Sequence, residues 1–170
     1  GRIGLAADQR LETAAIPLPR HSGAEFRTTE SLRDWLAFLR EVERDYWREM
    51  RRFLRDELQV AALLVGTIQG CSPATVQAEF DAIDSHAYWQ HPHFPGRPWD
   101  PGNWTVNNES MVNSPPGTLG RIAAQHVVGK PHLVTEYNHS APNTYSSEAP
   151  LLVAAYAALQ DWDAVFLFAY

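Results

Sequence analysis

Four strand-like runs, Val60–Thr67, Ala82–Tyr88, His132–Tyr137 and Val165–Ala169, constrain the fold of this chain most, because each follows a helix-like segment. Val60-Ala61-Ala62-Leu63-Leu64-Val65 is continuously apolar rather than alternating. That pattern belongs to a strand buried on both faces, as in a parallel sheet. Before it, Leu32, Trp35, Leu36, Leu39, Tyr46, Trp47, Met50, Phe53, Leu54 and Leu58 recur at helical spacing behind a cap at Thr29 or Ser31. The opposite face of that helix carries an arginine-rich charge run, which reads as a solvated surface. Ser72-Pro73 starts a helix reaching about Phe80, Leu119–Val128 forms another that ends at Gly129, and Ser146 or Ser147 caps one reaching Leu159.

Strict alternation of helix and strand predicts an α/β fold with a parallel sheet. Four strands cannot close a barrel, whereas eight can. The expectation is therefore the parallel-sheet half of a TIM (β/α)8 barrel with four β/α units, in residues 29–170, behind an irregular segment over 1–28. A doubly wound sheet is the alternative. Against it, Gly66-Thr67-Ile68-Gln69-Gly70 is too sparse in glycine and lacks the lysine of a phosphate loop.

Charge and cysteine content remove other classes. A formal net charge of -6 gives no basic footprint for nucleic acid. No run approaches the ~20 apolar residues that span a bilayer, so no membrane partner is expected. The single cysteine, Cys71, excludes an intrachain disulfide and a cysteine zinc site. The chain starts without Met and stops in Val165-Phe166-Leu167-Phe168-Ala169-Tyr170, so it reads as an excised fragment or as one that pairs with something.

Chemistry-bearing residues gather where strands end. Asp84, His86, Tyr88, Trp89, His91 and His93 follow one strand, and Thr135-Glu136-Tyr137-Asn138-His139 ends the next. The loop between them holds Trp99, Asn103, Trp104, Asn107, Asn108 and Glu109. Aromatic faces beside amides, imidazoles and carboxylates suit a sugar, although aromatic residues are also packed for their own sake. Glu136 stands out: a carboxylate at the inner end of a buried strand is costly unless paired or given a task. The histidines and carboxylates also supply ligand types for a metal-dependent hydrolase, but His91-Pro92-His93 matches no standard zinc spacing.

Gly129-Lys130-Pro131-His132-Leu133-Val134-Thr135-Glu136-Tyr137-Asn138-His139 resembles the seventh strand of the clan A retaining glycoside hydrolases, the superfamily of cellulases, mannanases and β-glycosidases. Asp84, His86 and Tyr88 are similar to its sixth strand, Val60–Thr67 to its fifth and Val165–Tyr170 to its eighth. The resemblance implies double displacement without a cofactor. Glu136 would be the nucleophile, and Tyr88 would hydrogen-bond it and help keep it ionised. His86, Asn138 and His139 would hold sugar hydroxyls, and Trp89, Trp99 or Trp104 would stack on a ring. The acid/base glutamate of the clan follows an Asn at the end of the fourth strand, and no Asn-Glu pair precedes the long helix. Asn108-Glu109 is the one such dipeptide and lies in the wrong loop. Retaining hydrolysis needs two carboxyl groups about 5–5.5 Å apart, so this chain alone is expected to be a poor catalyst. Its partners would be a carbohydrate and a second copy or a complementary half-barrel. A non-catalytic, self-associating half-barrel is the remaining alternative.

Overall fold

The computed structural model describes residues 10, 12–13, 28–114 and 117–168. The irregular reading of residues 1–28 falls almost wholly outside these, as do Ala169 and Tyr170 of the last expected strand. Two compact units divide the chain, residues 1–59 and 60–170.

The first unit contains α1, Thr29–Arg52. Its cap is Thr28 rather than Thr29 or Ser31. Thr28 Oγ1 accepts from the Ser31 N–H at 3.1 Å, and Ser31 Oγ accepts from the Thr28 N–H at 3.3 Å. Ser31 is therefore the return half of a capping box, which a list of capping residue types does not reveal. A π-helical turn, Phe53–Glu57, closes the helix, with the Leu58 N–H donating to the Phe53 carbonyl at 3.1 Å.

The second unit holds α2 (Ala74–Gln77), β1 (Ile83–Trp89), α3 (Gly117–Ala123), β2 (His132–His139), α4 (Glu148–Gln160) and β3 (Ala164–Leu167). The strands form a three-stranded parallel sheet in the order β1-β2-β3. The chain is thus mixed α/β with a parallel sheet. Four β/α units are not seen among the described residues, because Val60–Thr67 is not a strand. It makes one parallel bridge, Val65 to Ala82, and the Asp81 N–H donates to the Leu64 carbonyl at 3.0 Å. The Asp81 carboxylate takes the Leu64 N–H at 2.8 Å, so a side chain occupies a donor that a ladder would use. Leu63 is 68% exposed, so this apolar run lacks the two-sided cover that its composition suggested. α2 and α3 are also shorter than expected, whereas α4 follows Ser147 and reaches Gln160 as expected within one residue. Ser72 Oγ has no partner and does not cap α2, and Val128, the last residue expected in α3, is 98% exposed beyond its end.

One face of the sheet packs on α3 and α4. Ala87 and Trp89 of β1 join Val134 and Tyr137 of β2, Leu119 and Ile122 of α3, and Val153 of α4, with Met111 and Trp162 completing the core.

Candidate functional site

Alternation along β1 puts Asp84, His86 and Tyr88 on one side of the sheet and Ala87 and Trp89 on the other. β2 breaks that rule once. Asp84 pairs with Leu133 but His86 pairs with Glu136, and towards β3 Val134 pairs with Val165 but Tyr137 with Leu167. Both neighbours therefore see one extra β2 residue, a β-bulge between Val134 and Tyr137. Such a bulge re-aims side chains. Val134 and Tyr137 are both in the core, while Thr135 and Glu136, consecutive in sequence, both reach His86.

The resulting network runs from a buried carboxylate to an open one. Asp84 Oδ1 accepts from the Thr135 N–H at 3.0 Å, and Asp84 Oδ2 accepts from the Thr135 hydroxyl at 2.5 Å. His86 Nε2 lies 3.1 Å from Asp84 Oδ2 and 2.7 Å from Thr135 Oγ1. A threonine hydroxyl has a single proton. Once that proton goes to Asp84, Thr135 Oγ1 must accept, which assigns a proton to His86 Nε2. His86 Nδ1 then faces Glu136 Oε2 at 3.5 Å, and the Tyr88 hydroxyl donates to Glu136 Oε1. Each Glu136 oxygen is thus met by a ring group from β1. Side-chain exposure is 9% for Asp84, 27% for His86 and 29% for Glu136, so Glu136 is braced yet reachable from solvent. Burial, then the hydrogen bond to Glu136 and that group's charge, push the Tyr88 phenol well above its usual range and keep it a donor.

The other expected site residues divide between the two sides. Asn138 pairs with Tyr88 in register and shares the Glu136 side by alternation; its Oδ1 accepts from the His139 N–H at 2.8 Å. Trp89 and His139 do not join Glu136. Trp89 is in the core with its Nε1–H donating to the Glu109 carbonyl at 2.8 Å, and His139 is buried with Nε2 3.1 Å from the Tyr137 hydroxyl. Strand periodicity explains both: each is an odd number of positions from the residue it was expected to accompany. Trp104 is 40% exposed in the loop after β1. In the same loop the Glu109 carboxylate accepts from the Gln90 amide at 2.7 Å. His91 places its ring 5.3 Å from that of Tyr88, while His93 pairs with Thr105 through its backbone.

Sequence reasoning gave no role to two residues that shape the site. Thr135 fixes His86, and its position just before Glu136 on a strand end was the available signal. Glu148, at the start of α4, accepts from Ser110 Oγ at 2.7 Å and from the Met111 N–H at 2.9 Å, tying the loop after β1 to α4. These bonds, the Ser110 one first, hold its carboxyl below the usual range.

Among the described residues no group of three or more His, Cys, Asp or Glu is placed to hold a metal ion. Asp84 and Glu136 approach opposite nitrogens of His86 and do not converge on a common point. No described helix is long and apolar enough to cross a membrane. Comparisons with protein-family models, curated proteins and solved structures return no match to this chain.

Proposed function

We propose that the chain is the nucleophile-bearing part of a retaining glycoside hydrolase, built as part of a (β/α)8 barrel, with Glu136 as the nucleophile. The observation that carries this reading is the pair of β1 groups on one carboxylate: the Tyr88 hydroxyl on Oε1 and His86 Nδ1 at 3.5 Å from Oε2. A nucleophilic carboxylate needs a fixed orientation and one oxygen open to attack: the Tyr88 hydroxyl holds Oε1, and Oε2 has beside it, at 3.5 Å, a His86 Nδ1 that carries no proton. The acid/base glutamate belongs to a part of the barrel outside this sequence.

A substrate that needs no acid therefore provides the test. Activated 2-deoxy-2-fluoroglycosyl fluorides of glucose, mannose, galactose and xylose would be incubated with the chain and the protein weighed by mass spectrometry. Glu136 attacks the anomeric carbon, the carbon–fluorine bond breaks, fluoride leaves, and a glycosyl ester remains on Oε. One sugar per chain is expected, on Glu136, with no label on Glu136→Gln. Equal labelling of that variant, or none of the wild type by any of these sugars, removes the assignment.

The free edge of the sheet bears on partners. Phe166, Leu167 and Phe168 are 57%, 47% and 54% exposed at β3, which pairs on one side among the described strands. Such an edge recruits strands, and in isolation the chain is read as pairing with a second copy. Light scattering that stays at 19.1 kDa across a concentration series would remove the homodimer.

A further inference from the structure

We propose that Trp99 is the platform of a second sugar subsite, so that the ligand of this site is an oligosaccharide or polysaccharide chain. The inference rests on the glycosidase reading of Glu136 and deepens it.

The loop carrying Trp99 is built to present one ring. An antiparallel bridge between His93 and Thr105 closes its base, with backbone hydrogen bonds of 2.8 and 2.9 Å. At its tip the Asp100 N–H donates to the Arg97 carbonyl at 3.3 Å across Pro98 and Trp99. Trp99 has a φ of 60°. Proline at the second position and a positive φ at the third is the pattern of a type II turn, whose third position belongs to glycine or asparagine. A bulky residue there is an outlier that the backbone itself disfavours. Burial does not repay it, since Trp99 is 72% exposed. The ring itself is nevertheless held, 5.1 Å from that of Phe94 and 6.0 Å from that of His91.

His91 connects this ring to the reacting end. Its ring is 5.3 Å from that of Tyr88, whose hydroxyl is on Glu136. A flat, exposed, uncharged aromatic face held by neighbours at little entropic cost suits the C–H face of a pyranose. Two ring contacts separate it from Tyr88. It therefore serves a neighbouring sugar of a chain rather than the one whose anomeric carbon meets Glu136.

The turn provides a variant that separates binding from folding. Trp99→Gly installs the residue that the turn prefers and removes the platform. The 170-residue chain would be run on native gels containing glucomannan, xylan, laminarin or galactan, beside Trp99→Gly, Trp99→Phe and Leu151→Ala. Wild type should be retarded by at least one glycan. Trp99→Gly should lose about tenfold or more in affinity for it, with an unchanged or raised melting temperature, and Trp99→Phe should keep part of the retardation. Leu151→Ala, at an exposed position of α4, should stay near wild type. No retardation by any glycan overturns the subsite, as does equal retardation of Trp99→Gly. So does a loss accompanied by a lower melting temperature, which would make the ring a structural prop. Labelling by the fluoro-sugars distinguishes the two failures. Glu136 labelled equally in wild type and Trp99→Gly, without glycan retardation, removes the subsite alone, and absence of labelling removes the glycosidase reading beneath it.

Discussion

The two sides of the parallel sheet use the same residue types to opposite ends. On the helix side, Tyr137 and His139 pair with each other at 3.1 Å, and His132 pairs with Ser85 at 2.9 Å, all of them buried. On the other side, Tyr88 and His86 serve carboxylates, one buried and one 29% exposed. Burial pushes His132 down to about 4, with the charge of His126 adding to it and Asp84 and Asp163 opposing; burial likewise lowers His139. The helix side therefore keeps its imidazoles neutral, each with one ring nitrogen on a hydroxyl. The Glu136 side leads from a buried acid through an imidazole to an acid that water reaches. A histidine or tyrosine on this sheet is thus diagnostic only once its side is known.

Removing the phenol oxygens one at a time tests that division, and Tyr88 should give the largest effect. Tyr88→Phe leaves Glu136 without the donor on Oε1. Labelling of Glu136 by the reactive fluoro-sugar should slow by roughly 10²–10³-fold, the order lost when one preorganised donor at a reacting centre is removed. The fold should change little, because the phenol is only half-buried. A labelling rate within about twofold of wild type would show that the hydroxyl does not prepare Glu136 for the proposed attack.

The next effect belongs to the helix side and is read in stability rather than rate. His132 has an ordinary value of 6.5 and a folded value of about 4. Between those values the unfolded chain holds a proton that the folded chain lacks, so stability falls as pH drops from about 6.5 to about 4. The span corresponds to at most about 3 kcal/mol, and His139 adds in the same direction. Urea unfolding across that window should show the slope, and His132→Gln, which can still bond Ser85, should flatten much of it. A slope unchanged in that variant would place the pH sensitivity elsewhere.

How much of this was legible in the sequence depended on periodicity. β1 and β2 stand within two residues of the expected runs, because strand-forming side chains between turn residues define them well. Glu136, Tyr88 and His86 were placed at strand ends for the same reason. Trp89 and His139 were misplaced although the signal was present, since alternation with Tyr88 and Tyr137 already separates the sides. The bulge was not legible. One extra residue in a ladder leaves no compositional mark, yet it alone brings Thr135 and Glu136 to the same histidine. Val60–Thr67 failed differently: continuous hydrophobicity reports a capacity for burial, while pairing depends on neighbours that the run itself does not encode. The turn at Pro98-Trp99 was half legible, proline marking the turn without showing that Trp99 takes the positive φ.

Tyr137→Phe should have the smallest effect, and it bears most directly on whether the two sides are separate. The Tyr137 side chain is 0% exposed, and its hydroxyl is 3.1 Å from His139 Nε2 and 4.0 Å from Met111 Sδ. Burial holds the phenol above its usual range, so it stays protonated and can donate to the neutral imidazole. Phenylalanine fills nearly the same volume but leaves His139 Nε2 without that partner. The cost is that of one buried acceptor left unsatisfied, about 1–2 kcal/mol, measurable as a lower urea midpoint with an unchanged slope. The rate of Glu136 labelling should not move, because Tyr137 lies on the core side of the bulge while Glu136 lies on the other. If Tyr137→Phe slowed labelling as much as Tyr88→Phe, the bulge would be transmitting core packing to the carboxylate, and the sheet would have to be treated as one coupled site.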